Sequence, residues 1–192
     1  MKMPPDPNWY VGAVWTVLLI VWVVAAFRTK RTERSASQGS RLFELCLLVV
    51  AFSLLFKGRL RFGALARRVI PGTAPIAWTG VAITIVGIAF AIWARFYLGS
   101  NWSAIAGVKQ DHSLVRSGPY AMVRHPIYSG LIAAMFGTAL VSGALGSFVA
   151  VPLTIVAWRQ KLLIEEGFMR EQFGAEYQRY MREVKALIPF VW

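Results

Sequence analysis

Residues Ile127–Trp158 form an uncharged apolar run of 32 residues. One helix of that length would reach ~48 Å, whereas the hydrocarbon core of a bilayer is ~30 Å thick. The run must therefore fold back. Its centre, Ser142-Gly143-Ala144-Leu145-Gly146-Ser147, is a string of small residues suited to a turn. The pattern predicts a helical hairpin with arms at about Ile127–Val141 and about Leu145–Ile164. Three further apolar runs precede it: Val11–Phe27, Leu42–Phe56 with Glu44 near its start, and Ile76–Leu98. Beyond it, Phe173-Gly174 interrupts the helical pattern. Tyr177, Tyr180, Met181, Val184 and Ile188 then recur with helical spacing as far as Pro189. This reads as an amphipathic helix that lies on the membrane or caps a polar site. The expected fold is an all-α integral membrane protein. It has about five transmembrane helices, including the C-terminal hairpin, plus a C-terminal amphipathic helix.

Composition supports this class. Hydrophobic residues make up 57% of the chain, above the level usual for soluble domains. The formal charge is +12. On a soluble domain that would suggest nucleic acid, but here the basic residues flank apolar spans and read as topology signals and contacts to anionic membrane lipids. Arg28, Lys30, Arg31 and Arg34 follow the first run as a stop-transfer flank, so it is expected to be a retained span and not a cleaved signal. Counting cations favours an N-out, C-in orientation. The segment 57–75 disagrees, since Lys57, Arg59, Arg61, Arg67 and Arg68 would then lie outside; it is a candidate interfacial helix. The single cysteine, Cys46, cannot form an internal disulfide, and no metal-ligand cluster is expected.

Chemistry concentrates at two places. Arg124-His125-Pro126 opens the first hairpin arm, with proline suited to the first helical position. A helix N-terminus beside Arg124 and His125 would hold a carboxylate or phosphate. The plainer alternative is a topology charge and a packed histidine. Glu165-Glu166 closes the second arm. These acids would bind an ammonium or ribose hydroxyls, or else pair with Arg159, Lys161 or Arg170 at helical spacing. Charged groups at membrane depth are costly and commonly mark ligand sites. The longest polar connection, Asn101 to Val115, is a candidate lid. No Gly-rich phosphate loop, nucleophile elbow or zinc-ligand pattern is present.

The stretch Leu114-Val115-Arg116-Ser117-Gly118-Pro119-Tyr120, continued by Arg124-His125-Pro126-Ile127-Tyr128, resembles the signature of the isoprenylcysteine carboxyl methyltransferase family. So does Glu165-Glu166 followed by Phe173-Gly174, Tyr177 and Tyr180. The wider superfamily includes membrane phospholipid N-methyltransferases. The resemblance runs from Gly99 to Pro189 and implies a single membrane methyltransferase domain. Residues 1–75 would be N-terminal membrane helices and 76–192 a cofactor-binding catalytic core near the cytosolic face. It implies S-adenosyl-L-methionine as cofactor, lined by His112, Leu114, Val115, Tyr120, His125, Pro126, Tyr128, Glu165 and Glu166. Arg124, His125 and Glu165 would be the catalytic residues. The family's substrate-linked arginine falls at Lys161, with Arg159 two residues earlier; lysine keeps the charge and loses the two-pronged geometry.

The expected reaction is carboxyl methylation of a prenylcysteine-type or other lipid-borne acceptor that enters from the bilayer. The alternative is methylation of a phospholipid ethanolamine, which would need a base such as Glu165, Glu166 or His125. A non-catalytic lipid-binding protein is a third reading. A transporter is disfavoured by the lack of internal symmetry.

Overall fold

A computed structural model of the chain describes residues 6–27, 32–35, 37–61, 63–99, 107–109 and 114–188. Five helices dominate: α1 (Pro7–Ala26), α2 (Gln38–Arg61), α3 (Ala74–Leu98), α4 (Pro126–Ser142) and α5 (Leu145–Glu183). Four of them are long and apolar enough to cross a membrane, and α4 is a shorter apolar helix of 17 residues. Their outward faces carry large apolar side chains such as Leu19, Val86 and Phe96. That surface suits lipid, and the chain is a multi-pass membrane protein. Added to the helices is one short antiparallel ribbon, β1 (Thr32–Ser35) with β2 (Gly107–Lys109). The ribbon takes three residues from the segment expected to form a lid; residues 101–106 and 110–113 of that segment lie outside the described residues.

The centre of the bundle is the antiparallel pair α3–α4. Two glycine pairs, Gly80 with Gly137 and Gly87 with Gly130, face each other across it. A Cβ on Gly87 would stand 2.5 Å from the Gly130 carbonyl oxygen, and one on Gly80 would stand 2.6 Å from that of Gly137. Only residues without side chains permit so close an approach. Between these pairs the Thr84 hydroxyl reaches the Thr138 hydroxyl at 3.4 Å and the Ala134 carbonyl at 3.3 Å. These buried hydroxyls also bond back to their own helices, so neither meets lipid unsatisfied. Helix α2 packs on the other side, where Ala51, Leu54 and Leu55 meet Met135, Ala139 and Ala150.

The hairpin turns at Gly143, whose positive φ of 68° ends α4 in the left-handed conformation that glycine adopts freely. The basic segment after α2 closes this tip. It is not an interfacial helix: α2 runs on to Arg61, a 3-10 turn follows at Gly63–Ala66, and the chain then extends. Arg68 donates from Nη1 to the Ser142 carbonyl at 3.2 Å, while backbone bonds join Val69 to Gly143 and Arg67 to Leu145. A cation at a helix C-terminus answers both the unpaired carbonyls and the helix dipole.

The second hairpin arm is longer than expected. Helix α5 continues past Ile164 as far as Glu183, with its one break at Gly174 (φ 51°). The break sits where the Phe173-Gly174 interruption was expected. The turns after it fold over the open end of the bundle. Tyr177 and Tyr180 are buried there, and the Tyr180 hydroxyl donates to the Tyr120 carbonyl at 2.6 Å. This segment therefore caps a site, while Ile188, expected on its apolar face, is exposed. The helix ends before Pro189, which lies outside the described residues.

We predict that Gly87→Val, which drives a side chain into the α4 backbone, destabilises the bundle by ~1–3 kcal/mol. Thermal unfolding in detergent reads this as a lowered midpoint. Gly12→Ala, where an added Cβ meets nothing within 4 Å, should leave the midpoint unlowered. Equal behaviour of the two variants would contradict the close α3–α4 approach.

Candidate active site

Pro126 starts α4 and His125 is its N-cap. Proline carries no amide hydrogen to leave unpaired, so the helix can begin here in an apolar setting. The preceding residues emerge from a 3-10 turn at Gly118–Ala121 whose buried Pro119 and Tyr120 anchor it below the cap. Burial pushes the Tyr120 hydroxyl well above the usual phenol range, and the Glu165 carboxylate adds to the effect, so the group stays protonated. This turn delivers Arg124 and His125 to the Glu165–Glu166 stretch midway along α5.

There the two acids separate by the ~100° that one residue turns in a helix. Glu166 faces Arg124: its Oε1 accepts from Arg124 Nη2 at 2.7 Å and from Nε at 3.0 Å. His125 Nε2 lies 3.2 Å from the same oxygen. Glu165 faces Tyr128, whose hydroxyl donates to Oε1 at 2.9 Å. His125 Nδ1 stands 3.7 Å from Glu165 Oε2. The imidazole thus bridges the two carboxylates, one to each ring nitrogen. Its ring stacks on Tyr128 at 5.8 Å between centroids, and Tyr128 in turn meets Trp158 at 5.2 Å.

Arg124 also fastens the chain end. Its Nη1 donates to the Met181 carbonyl at 3.3 Å and, closer still, to that of Val184. The Arg124 and His125 amides donate to the Lys185 and Ala186 carbonyls at 2.8 and 3.0 Å, and Ser129 donates to Leu187. Residues 184–187 therefore form a strap across the start of α4, held by the two amides that precede the helix. Arg116 pairs with Glu183 and stacks over the Tyr180 ring, securing the strap from outside.

The expected site residues fall into four groups. Arg124, His125, Tyr128, Glu165 and Glu166 form the network. Lys161 joins it from the Tyr128 side, 5.8 Å from that ring centroid, and pairs with Glu44 of α2 at 3.2 Å. Arg159 lies on another face of α5, beside a cavity of about 300 Å³ lined also by Arg124, Leu162, Glu166, Met181 and Lys185. Two residues of helix turn ~200°, so Lys161 and Arg159 serve different spaces. Pro126 and Tyr120 are buried as framework, with Val115 packed against the cluster around Tyr120; Leu114 is half-buried. His112 lies outside the described residues.

Sequence reading missed Glu44, Trp158 and the strap as parts of the site. Glu44 did carry a signal, since an acid within an apolar run is costly without a partner. The cavity offers three cations, one carboxylate and apolar Leu162, Leu163 and Met181. The cavity's volume is at the lower end of small-molecule pockets.

We predict that Arg124→Ala releases the strap, because it removes the group holding Met181, Val184 and Glu166 together. Limited proteolysis should cut between residues 181 and 188 markedly faster than in the unaltered protein. An unchanged cleavage rate would contradict this fastening.

Comparison with known proteins gives the geometry a family. The phospholipid methyltransferase family matches residues 76–176, which run from α3 through most of α5. The protein-S-isoprenylcysteine O-methyltransferase of Schizosaccharomyces pombe is 36% identical over 104 residues, covering 51% of this chain and 43% of that protein. The human enzyme of that name is 31% identical over 129 residues, covering 63% and 45%. A probable rice relative is 28% identical over 121 residues, covering 60% and 62%. Among solved structures, the eukaryotic intramembrane Ras methyltransferase ICMT (isoprenylcysteine carboxyl methyltransferase) superposes with a TM-score of 0.54 at 26% identity. That match covers 81% of this chain and 55% of that one. The chain therefore spans between about two-fifths and three-fifths of the length of these relatives. The matched segment holds the whole Arg124–His125–Tyr128–Glu165–Glu166 network and more than half of the sequence, and the chain belongs to the phospholipid methyltransferase family.

Proposed function

We propose that this chain is an S-adenosyl-L-methionine-dependent membrane methyltransferase that methylates the carboxylate of a prenylcysteine-type or other lipid-borne acceptor. The observation that carries the reading is the imidazole of His125 held between Glu165 and Glu166 at the end of a membrane hairpin. A polar knot of this kind, buried where water is scarce, is costly unless it serves a ligand.

The residues fit the cofactor's two ends. Arg124, Arg159 and Lys185 supply cations for its carboxylate, Glu166 an acceptor for its ammonium, and Leu162, Leu163 and Met181 apolar surface for its ring. When bound, the cofactor supplies a methyl group on a positively charged sulfur. Glu165 and the Tyr128 face lie on the adjacent side of the site, where carboxylate charge and an aromatic ring favour a cation. Lys161 holds the acceptor carboxylate beside them. A carboxylate is already ionised at neutral pH, so no residue needs to remove a proton. Catalysis is alignment of acceptor and donor, with the strap and the Tyr177–Tyr180 turn excluding water. The acceptor carboxylate held by Lys161 would be the nucleophile, and its methyl ester the product. The site end of the bundle faces the cytosol in this reading, N-out and C-in, with residues 76–192 as catalytic core.

Detergent-purified protein incubated with methyl-labelled cofactor and a panel of acceptors tests the reading. Label in a base-labile ester is expected. Label in a stable amine on phosphatidylethanolamine would replace it with the N-methyltransferase reading. No binding of S-adenosylhomocysteine would end both. Within the leading reading, Glu165→Gln should weaken binding of S-adenosyl-L-methionine, which carries the sulfonium charge, about tenfold at unchanged melting temperature, a loss typical of one charged contact. Lys161→Ala should raise the acceptor KM well above any change in cofactor affinity. Unchanged affinity in the first variant, or equal losses in the second, would contradict these roles.

A further inference from the structure

Glu44 reaches the site from a helix that precedes the family-matched segment. It lies on α2, six residues from the start of that helix, and 117 positions before its partner Lys161. Its Oε1 stands 3.2 Å from Lys161 Nζ, and both side chains are largely buried, at 20% and 9% exposure. Sixteen residues of α5 separate Lys161 from the hairpin tip, a rise of ~24 Å, so the pair sits near the same membrane face as His125. Around it stand Tyr128 of α4, whose hydroxyl holds Glu165, and Trp158 one turn earlier on α5. Each group here is placed by a different helix, and the pair closes the ring formed by α2, α4 and α5.

We propose that Glu44 is a specificity-determining residue: it balances the charge of Lys161 and so sets how strongly the acceptor pocket prefers an anion over a neutral group. This rests on the reading that Lys161 meets the acceptor carboxylate. The ammonium has three donors and can serve Glu44 and an incoming carboxylate together. The incoming group then meets a cation already partly neutralised by Glu44 and shadowed by Glu165. Such a pocket takes up a carboxylate and also releases its neutral ester, because the resting pair remains satisfied once the product has no charge. Replacing Glu44 with a neutral residue removes one negative charge within a few ångströms of the acceptor, where charge interactions exceed those in bulk water. Carboxylate binding should tighten, and discrimination against an uncharged analogue should widen.

The test uses the full chain in detergent and two probes that differ only in charge, N-acetyl-S-farnesylcysteine and its carboxamide. The affinity ratio of acid to amide is measured by calorimetry for the unaltered protein, Glu44→Gln and Glu44→Asp. Glu44→Gln should raise the ratio about five- to tenfold, chiefly through the acid, consistent with one charge at this distance. Glu44→Asp, which keeps the charge, should return it to within about twofold of the original. Affinity for S-adenosylhomocysteine reports whether each variant is folded and should stay constant. A ratio that is unchanged or falls in Glu44→Gln overturns the proposal while leaving the methyltransferase reading intact. If the unaltered protein binds S-adenosylhomocysteine but neither probe, the acceptor class is wrong and the inference falls with it. A photoreactive form of the acid decides the matter should Glu44→Gln not fold: it should label peptides from Gln38–Phe56, and labelling confined to α4 and α5 overturns the proposal.

Discussion

One carboxylate oxygen organises the polar end of this molecule. Glu166 Oε1 receives two guanidinium nitrogens of Arg124 and stands within hydrogen-bond distance of the His125 ring. Both Arg124 and Glu166 are largely shielded, and so neither can be replaced cheaply by water. Breaking a buried pair by removing one partner typically costs ~3–5 kcal/mol. Through this contact the start of α4 is fixed to the middle of α5. Through the other face of the same guanidinium, the strap at 184–187 is fixed to both. The orientation of His125 follows, and with it the position of Glu165 and Tyr128.

The rest of the bundle serves to hold the start of α4 and the middle of α5 in register. Glycine pairs bring α3 and α4 into backbone contact, which leaves no freedom for α4 to slide. Gly143 and Arg68 close the far end of the hairpin, so α5 returns at a set distance and depth. Helix α2 packs along the hairpin and contributes Glu44 to Lys161. The lipid-facing surfaces are apolar and undemanding. Specific geometry is concentrated inside and at one end, as membrane helices require when the solvent cannot satisfy a stray polar group.

Much of this is legible in the sequence because lipid makes simple demands. A 32-residue apolar run has to fold back, and its small-residue centre is where it does. Pro126 marks a helix start and Gly174 a helix break for reasons of backbone chemistry alone. The adjacency of Glu165 and Glu166 announces two directions from one helix turn. What escapes is contact that leaves no local pattern. The strap is recognised through its carbonyl groups, which every residue carries. The β1–β2 ribbon is built from Thr-Glu-Arg-Ser and Gly-Val-Lys, too short and too polar for an alternating signal. Arg68 reads as a topology charge because the carbonyls it caps are visible only once the turn exists. Lys161 and Arg159 are neighbours by number, yet the helical period sends them to different spaces.

Hydrogen exchange with and without S-adenosylhomocysteine tests the central claim most directly, since that claim is that α4's start, the middle of α5 and the strap form one binding unit. Ligand should slow exchange together in three separated stretches, around 124–128, 162–166 and 181–186, and leave the hairpin tip near Gly143 unchanged. Protection of one stretch without the others, at saturating ligand, would contradict a single shared site.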